Sequence, residues 1–364
     1  MTEKLKSRRW KLALNVVTIV ALVGLTYAVR KQLAETFANL NNVNLWILLL
    51  MIPAQMLNYF GQANLYQSLF RAVGERFRVR SMLRLALELN FVNTVFPSGG
   101  VSGFSYIAIR LKDENVSTAK ATLVQMMRFI LIFASVQVLL FAGLVALAIG
   151  GQANDFAILL AGILGTLITV FTLLIAFVIG SKARINAFFT FVTKLVNGLI
   201  HIFRPDHPET INISRAKHAF TELNETFVQL KSDPGALKRP FGFALMSVSA
   251  EILTIYAVYA AFGQWVNIGA VIMAYAVANF AGLISILPGG IGVYEALMTG
   301  VLTAGGIPAA ISLPVTVMYR VLNMAIQLPA GYFFYHKTLH SQPAVGHFDY
   351  GDDKSSLKDL HTKL

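Results

Sequence analysis

Two arginines, Arg128 and Arg320, stand inside stretches apolar enough to lie in a bilayer. An ionisable side chain there is costly unless paired or solvated, so each marks a place where chemistry is expected. Arg128 shares a helical stripe with Thr118, Thr122, Gln125 and Ser135. Arg320 shares another with Thr316, Asn323 and Gln327. Such stripes face a bundle interior or a cavity, because lipid rejects them. A guanidinium fork matches phosphate or carboxylate bidentately and keeps its charge in any ordinary environment. Two readings stay open. The arginines form a seat for an anionic headgroup, with Gln125, Asn323 and Tyr294 beside them, or they sit in structural ion pairs with Glu88, Glu251 or Glu295.

The carboxylates have matching settings. Glu251 lies mid-span with Ser247 and Thr254 on its face, Glu295 closes Gly292-Val293-Tyr294-Glu295, and Glu88 lies near Asn90 and Asn93. Each is a candidate to couple transport to an ion or to neutralise an arginine. Thiolate chemistry, disulfides and cysteine metal sites are excluded, since the chain has no cysteine. His201, His207 and His218 lack metal-ligand spacing, and no metal or cofactor is expected.

The elements that must position these groups are broken twice, at Phe96-Pro97-Ser98-Gly99-Gly100 and at Leu287-Pro288-Gly289-Gly290. A broken helix in lipid leaves backbone groups unpaired, so it survives only where protein or water covers it. Breaks in corresponding positions of two halves point to a transporter's binding site. Gly99, Gly100, Gly289, Gly290 and Gly292 allow backbone shapes closed to other residues. They also present N–H groups to an anionic oxygen at a helix start, or simply permit tight hairpin packing.

The chain of 364 residues is 56% hydrophobic and 13% charged, which indicates a polytopic membrane protein. Six full spans are expected near 11–29, 45–69, 121–149, 157–180, 241–262 and 311–335. The broken segments 81–111 and 268–306 are expected to be re-entrant hairpins, making eight hydrophobic segments. The first run follows a basic stretch but lacks a clear cleavage site, so it is expected to be a retained helix. With the N-terminus in the cytoplasm, 26 of the 30 Lys and Arg fall on that side, nine of them in 181–240. The positive-inside rule is then met, with both termini cytoplasmic. The net charge of +12 therefore reads as loop charge, and no nucleic-acid partner is expected. Charge counting leaves one alternative open, in which each hairpin is a pair of true spans.

The expected fold is all-α, with the order span, span, hairpin, span given twice in opposite orientation, an inverted-topology repeat. An offset of 192 residues carries Arg128 to Arg320, Gln55 to Ser247, Tyr59 to Glu251 and Gln62 to Thr254. The first repeat covers 11–149. The second covers 150–180 and 241–335, split by a cytoplasmic linker at 181–240. Within that linker 187–200 is amphipathic and 210–231 reads as a polar helix. The tail from 336 is expected to be cytoplasmic and disordered, and Gly305-Gly306-Ile307-Pro308 to close the outer end of the second hairpin.

The run Leu287 to Ala296, with Tyr319-Arg320 and Pro329 after it, resembles the signature of the lysylphosphatidylglycerol synthase transmembrane-region family. Pro97 to Gly103 and Arg128 resemble the corresponding first-half motif, and the resemblance covers about residues 10–335. Family members usually carry Gly-Glu after the first break, whereas Gly103 is here followed by Phe104. The resemblance implies a flippase-like domain. The chain ends without the soluble aminoacyl-transferase domain of the two-domain synthases, so making lysyl-lipid is not expected of it.

The expected function is a lipid transporter of the cell membrane, not an enzyme, moving a phospholipid, glycolipid or lipid-linked precursor between leaflets. The partner is then membrane lipid, with a second copy or a separate lipid-modifying enzyme alongside. No Gly-x-x-x-x-Gly-Lys-Ser/Thr motif is present, so direct ATP drive would come from another chain. A small-solute or ion transporter is the first competitor, and a membrane-embedded lipid enzyme the second.

Overall fold

The computed structural model describes residues 2–96, 101–112, 114–151, 155–181, 233–284 and 290–341, with six further single positions between 183 and 228. Of the expected features, Pro97 to Gly100, Ser285 to Gly289, nearly all of the linker and the tail beyond 341 lie outside these residues. Every regular element among the described residues is helical. In order they are α1 (Thr2–Asn39), α2 (Leu45–Leu48), α3 (Met51–Ala72), α4 (Val79–Val95), α5 (Val101–Lys112) and α6 (Thr118–Ile149). There follow α7 (Asp155–Ile179), α8 (Lys238–Ala261), α9 (Ile268–Ile284), α10 (Val293–Ala304) and α11 (Ala309–Ser341).

Local chemistry sets several of these boundaries. The Asn44 side chain accepts the Trp46 and Ile47 N–H groups at 3.0 and 3.3 Å, capping α2. Ser117 accepts the Lys120 N–H at 3.2 Å and starts α6. Gly292, at φ 84°, opens α10, and the Glu295 carboxylate reaches back to its N–H at 2.6 Å. That φ is strained for any residue with a side chain.

Five helical stretches are long and apolar enough to cross a bilayer: Leu45–Ala72, Thr118–Ile149, Ile158–Val178, Gly235–Ala261 and Ala309–Thr338. They coincide with five of the six expected spans. The sixth, 11–29, falls within α1, whose side chains before Thr18 lie outside the described residues. Two boundaries differ from expectation. The helix α1 extends beyond the expected span at both ends, and α8 begins at Lys238, inside the stretch assigned to the linker. In each broken segment a 17-residue helix is followed by a 12-residue one, α4 with α5 and α9 with α10.

The surface is apolar and the interior partly polar, as lipid demands. Ile158, Leu159, Ile163, Leu167, Val170 and Leu174 of α7 are exposed. Gln55, Asn58, Gln62, Glu88, Gln125, Glu295 and Arg320 are buried. The closest helix pairing is α3 with α8, which cross at Gly61. A Cβ there would stand 3.0 Å from the Ser247 Cα, so only glycine allows this approach. The helix α4 packs on α11 and α9 on α6, while α1 packs on α11 and α7 on α6. Gly331 admits the α4 backbone at Leu87, and Gly269 admits that of α6 at Gly143.

Candidate functional site

Three carboxylates anchor three polar clusters in the interior. The central one is Glu251 on α8. Its Oε2 accepts Gln55 Nε2 at 3.1 Å and Asn58 Nδ2 at 2.7 Å, both from α3. Its Oε1 accepts Asn323 Nδ2 at 3.0 Å and the Tyr319 hydroxyl, both from α11. A carboxylate has about four lone-pair sites, so neutral donors fill Glu251. The network continues outward: Gln62 donates to Asn58 at 2.5 Å, and Asn90 of α4 donates to Gln62 at 3.2 Å. Four helices thus share one hydrogen-bonded chain, and its members specify one another's positions.

The second cluster lies at the start of α10. Arg320 pairs with Glu295 at 2.6 Å, with both side chains nearly enclosed. Gln32 of α1 donates to the same oxygen at 3.1 Å. The guanidinium carbon also lies 4.7 Å from the centre of the Tyr294 ring. A buried pair of this kind is weak support for stability in itself, but removing one member leaves an uncompensated charge.

Glu88 of α4 anchors the third. Its Oε2 accepts Arg110 Nε at 3.2 Å and the Tyr106 hydroxyl at 2.9 Å, while Oε1 accepts Thr338 at 2.8 Å. Arg110, near the end of the first broken segment, is part of α5 and serves as the partner of Glu88.

Arg128 differs from all of these. Among the described residues it makes no ion pair, and its buried Nε has no acceptor. Its guanidinium lies beside the rings of Tyr66 and Phe129, at 5.4 and 5.6 Å from their centres. Gln125, one turn earlier, is wholly buried. Its Oε1 takes the Tyr66 hydroxyl at 2.8 Å, and among the described residues its Nε2 has no partner.

The residues singled out in the sequence therefore divide. Arg320, Glu295 and Tyr294 meet in one cluster, and Asn323 joins Glu251 in another. Gln125 and Arg128 share the flank of Tyr66, and Glu88 stands with Arg110. Gly290 is buried at φ 66°, close before Gly292, while Gly99, Gly100 and Gly289 lie outside the described residues. The expectation that Glu251 neutralises an arginine is not met, because amide and hydroxyl donors surround it instead. Asn58, Tyr319, Gln32 and Tyr106 were missed. The 55, 58, 62 spacing of amides on α3 was the available signal for Asn58; the others show no sequence period that sets them apart.

Comparison with known proteins agrees with this membrane architecture. The chain is 28% identical over 124 residues to a UPF0104 membrane protein of Methanothermobacter thermautotrophicus, covering 34% of this chain and 33% of that protein. It is 25% identical over 134 residues to the UPF0104 membrane protein PH1989 of Pyrococcus horikoshii, covering 35% and 40%. The matched part thus spans well under half the length of either relative. The family described as the lysylphosphatidylglycerol synthase TM region matches residues 12–331. A multi-pass helical membrane protein with a buried polar interior, the chain belongs to the lysylphosphatidylglycerol synthase transmembrane-region family.

Proposed function

We propose that this chain is a flippase-like lipid transporter of the cell membrane, carrying a phospholipid, glycolipid or lipid-linked precursor between leaflets. The observation that carries the reading is the interior polar path from half-buried Asn90 through buried Gln62 and Asn58 to half-buried Glu251 and Asn323, with Arg320 one turn before Asn323 on α11. Polar groups are expensive in a membrane, so an interior path of them marks a route or a site for polar cargo unless its members only satisfy one another.

The fold we infer is an inverted-topology repeat with two re-entrant hairpins and cytoplasmic termini. An offset of 192 residues carries α5 onto α10 and α6 onto α11, end to end within one residue. The packing supports the same pairing: α4 on α11 answers α9 on α6, and α1 on α11 answers α7 on α6. Twelve-residue arms rise about 18 Å, against about 30 Å of hydrocarbon, which favours half-crossings. Transport rather than catalysis is the activity, since Glu88, Glu251 and Glu295 are each engaged by donors on separate clusters. The headgroup is held near Arg128, with Arg320 already paired to Glu295, while the halves rock, in a monomer, a homo-oligomer or a complex with a lipid-modifying enzyme.

The saturation of Glu251 by neutral donors favours a second reading, a small-solute or ion transporter with that carboxylate as its coupling group. Proteoliposomes separate the two. With a fluorescent phospholipid in the inner leaflet, purified protein is expected to speed its exposure to an external quencher at least tenfold over empty vesicles. No acceleration for any lipid class, alongside uptake of a soluble solute, would overturn lipid transport.

A further inference from the structure

We propose that Arg128, Gln125 and the first turn of α5 form a seat for a phosphate oxyanion, carried by a phospholipid rather than by a phosphate-free glycolipid. The inference deepens the transport reading and rests on it only for the source of the phosphate.

Two unmatched donors define the seat. The Nε of Arg128 and the Nε2 of Gln125 lie one helical turn apart on α6, both buried and both without an acceptor among the described residues. The Tyr66 hydroxyl holds Gln125 Oε1 at 2.8 Å, which turns the amide nitrogen the other way. The rings of Tyr66 and Phe129 attract the guanidinium but accept no hydrogen bond in its plane. Buried donors without acceptors are costly, and an oxyanion between them removes the penalty.

The second half of the chain indicates what completes such a place. There, the carboxylate of Glu295 takes the Gly292 N–H at the start of α10 and pairs with Arg320, each at 2.6 Å. The offset that carries Arg128 to Arg320 carries Gly103 to Glu295. The first turn of α5 reaches the neighbour of the arginine: Phe104 stacks on Phe129 with centroids 5.6 Å apart and rings inclined by 18°, and the Arg128 guanidinium lies 5.6 Å from that same Phe129 ring. Gly103 carries no side chain, so the chain has no carboxylate at that position, and the end of the Asn93 side chain stands 2.6 Å from where a Cβ would be. An anion from outside would therefore stand where Glu295 stands in the second half, between a helix start and a guanidinium fork. Phosphate suits both, because its several oxygens meet the fork and the amide together, and membrane lipid brings it to the site.

Native mass spectrometry of the purified full chain tests this. It would be titrated with phosphatidylglycerol, with a phosphate-free diacyl glycolipid, and with inorganic phosphate as competitor. The wild type is expected to bind phosphatidylglycerol at least tenfold more tightly than the glycolipid, with inorganic phosphate displacing it. Arg128→Gln is expected to lose at least tenfold for phosphatidylglycerol and to leave the glycolipid unchanged, while Arg128→Lys, the safer variant for folding, loses less. Gly103→Glu with Asn93→Ser, which installs the carboxylate and makes room for it, is expected to weaken phosphatidylglycerol at least tenfold. Phosphatidylglycerol binding by Arg128→Gln within twofold of wild type overturns the seat, even if vesicle assays show transport. Binding of inorganic phosphate without any phospholipid overturns the lipid source and tells against the transport reading, while the seat stands.

Discussion

Arg128 and Arg320 sit at matching depths, ten residues after Thr118 in α6 and eleven after Ala309 in α11, yet their surroundings are opposite. Arg320 is tied to Glu295, which Gln32 and the Gly292 amide also hold. Arg128 rests against two aromatic rings and, among the described residues, meets no carboxylate. One half has closed its charge with its own chain; the other leaves the charge to be answered.

The sharpest way to break the comparison is to remove the internal carboxylate. Glu295→Leu strands a buried guanidinium and is expected to destabilise the protein by about 3–5 kcal/mol. Arg128→Met removes a charge that has no such partner and is expected to change stability by less than about 1 kcal/mol, or to raise it. Thermal unfolding in detergent reads both, and equal losses would erase the distinction.

The next contrast concerns hydroxyls. Tyr319→Phe withdraws one of four donors from the Glu251 carboxyl group and is expected to lose roughly 1–3 kcal/mol. Tyr66→Phe withdraws a donor from the neutral Gln125 amide and is expected to lose roughly 0.5–1.5 kcal/mol. A larger loss at Tyr66 would mean that the Arg128 side is the more tightly built.

Glycine contacts test whether the two halves are held alike. Gly331→Ala pushes against the Leu87 carbonyl, and Gly269→Ala against that of Gly143. Both are expected to lose about 1–3 kcal/mol from overpacking. Unequal losses would separate the α4–α11 contact from the α6–α9 contact. The smallest effect is expected at the outer pair Lys120–Glu75, with side chains 30% and 26% exposed. Lys120→Met is expected to change stability by about 0–1 kcal/mol, and salt to weaken the pair.

Much of this was legible in the sequence for one reason: lipid imposes a length and a polarity on every segment. The five spans follow from that rule. So do the ends of α4 and α9 just before Pro97 and within a few residues of Pro288. The interior stripe of α11 was readable too, because Thr316, Arg320, Asn323 and Gln327 repeat at helical spacing. Pairing was not. Glu88, Glu251 and Glu295 look equivalent in sequence, but their side-chain partners come from positions 18 to 263 residues away. Arg110 follows an apolar run and has no neighbour in sequence that marks its partner; α5 continues past it and turns it onto Glu88.

The central claim is that the substrate's anion is held at Arg128 while Arg320 serves the fold. A phosphatidylglycerol with a photoreactive headgroup, cross-linked to the protein in vesicles and mapped by peptide mass spectrometry, tests this directly. The account predicts adducts in 101–112 and 118–149 that fall at least tenfold in Arg128→Gln. Adducts centred on 293–304 and unchanged by that substitution would contradict it.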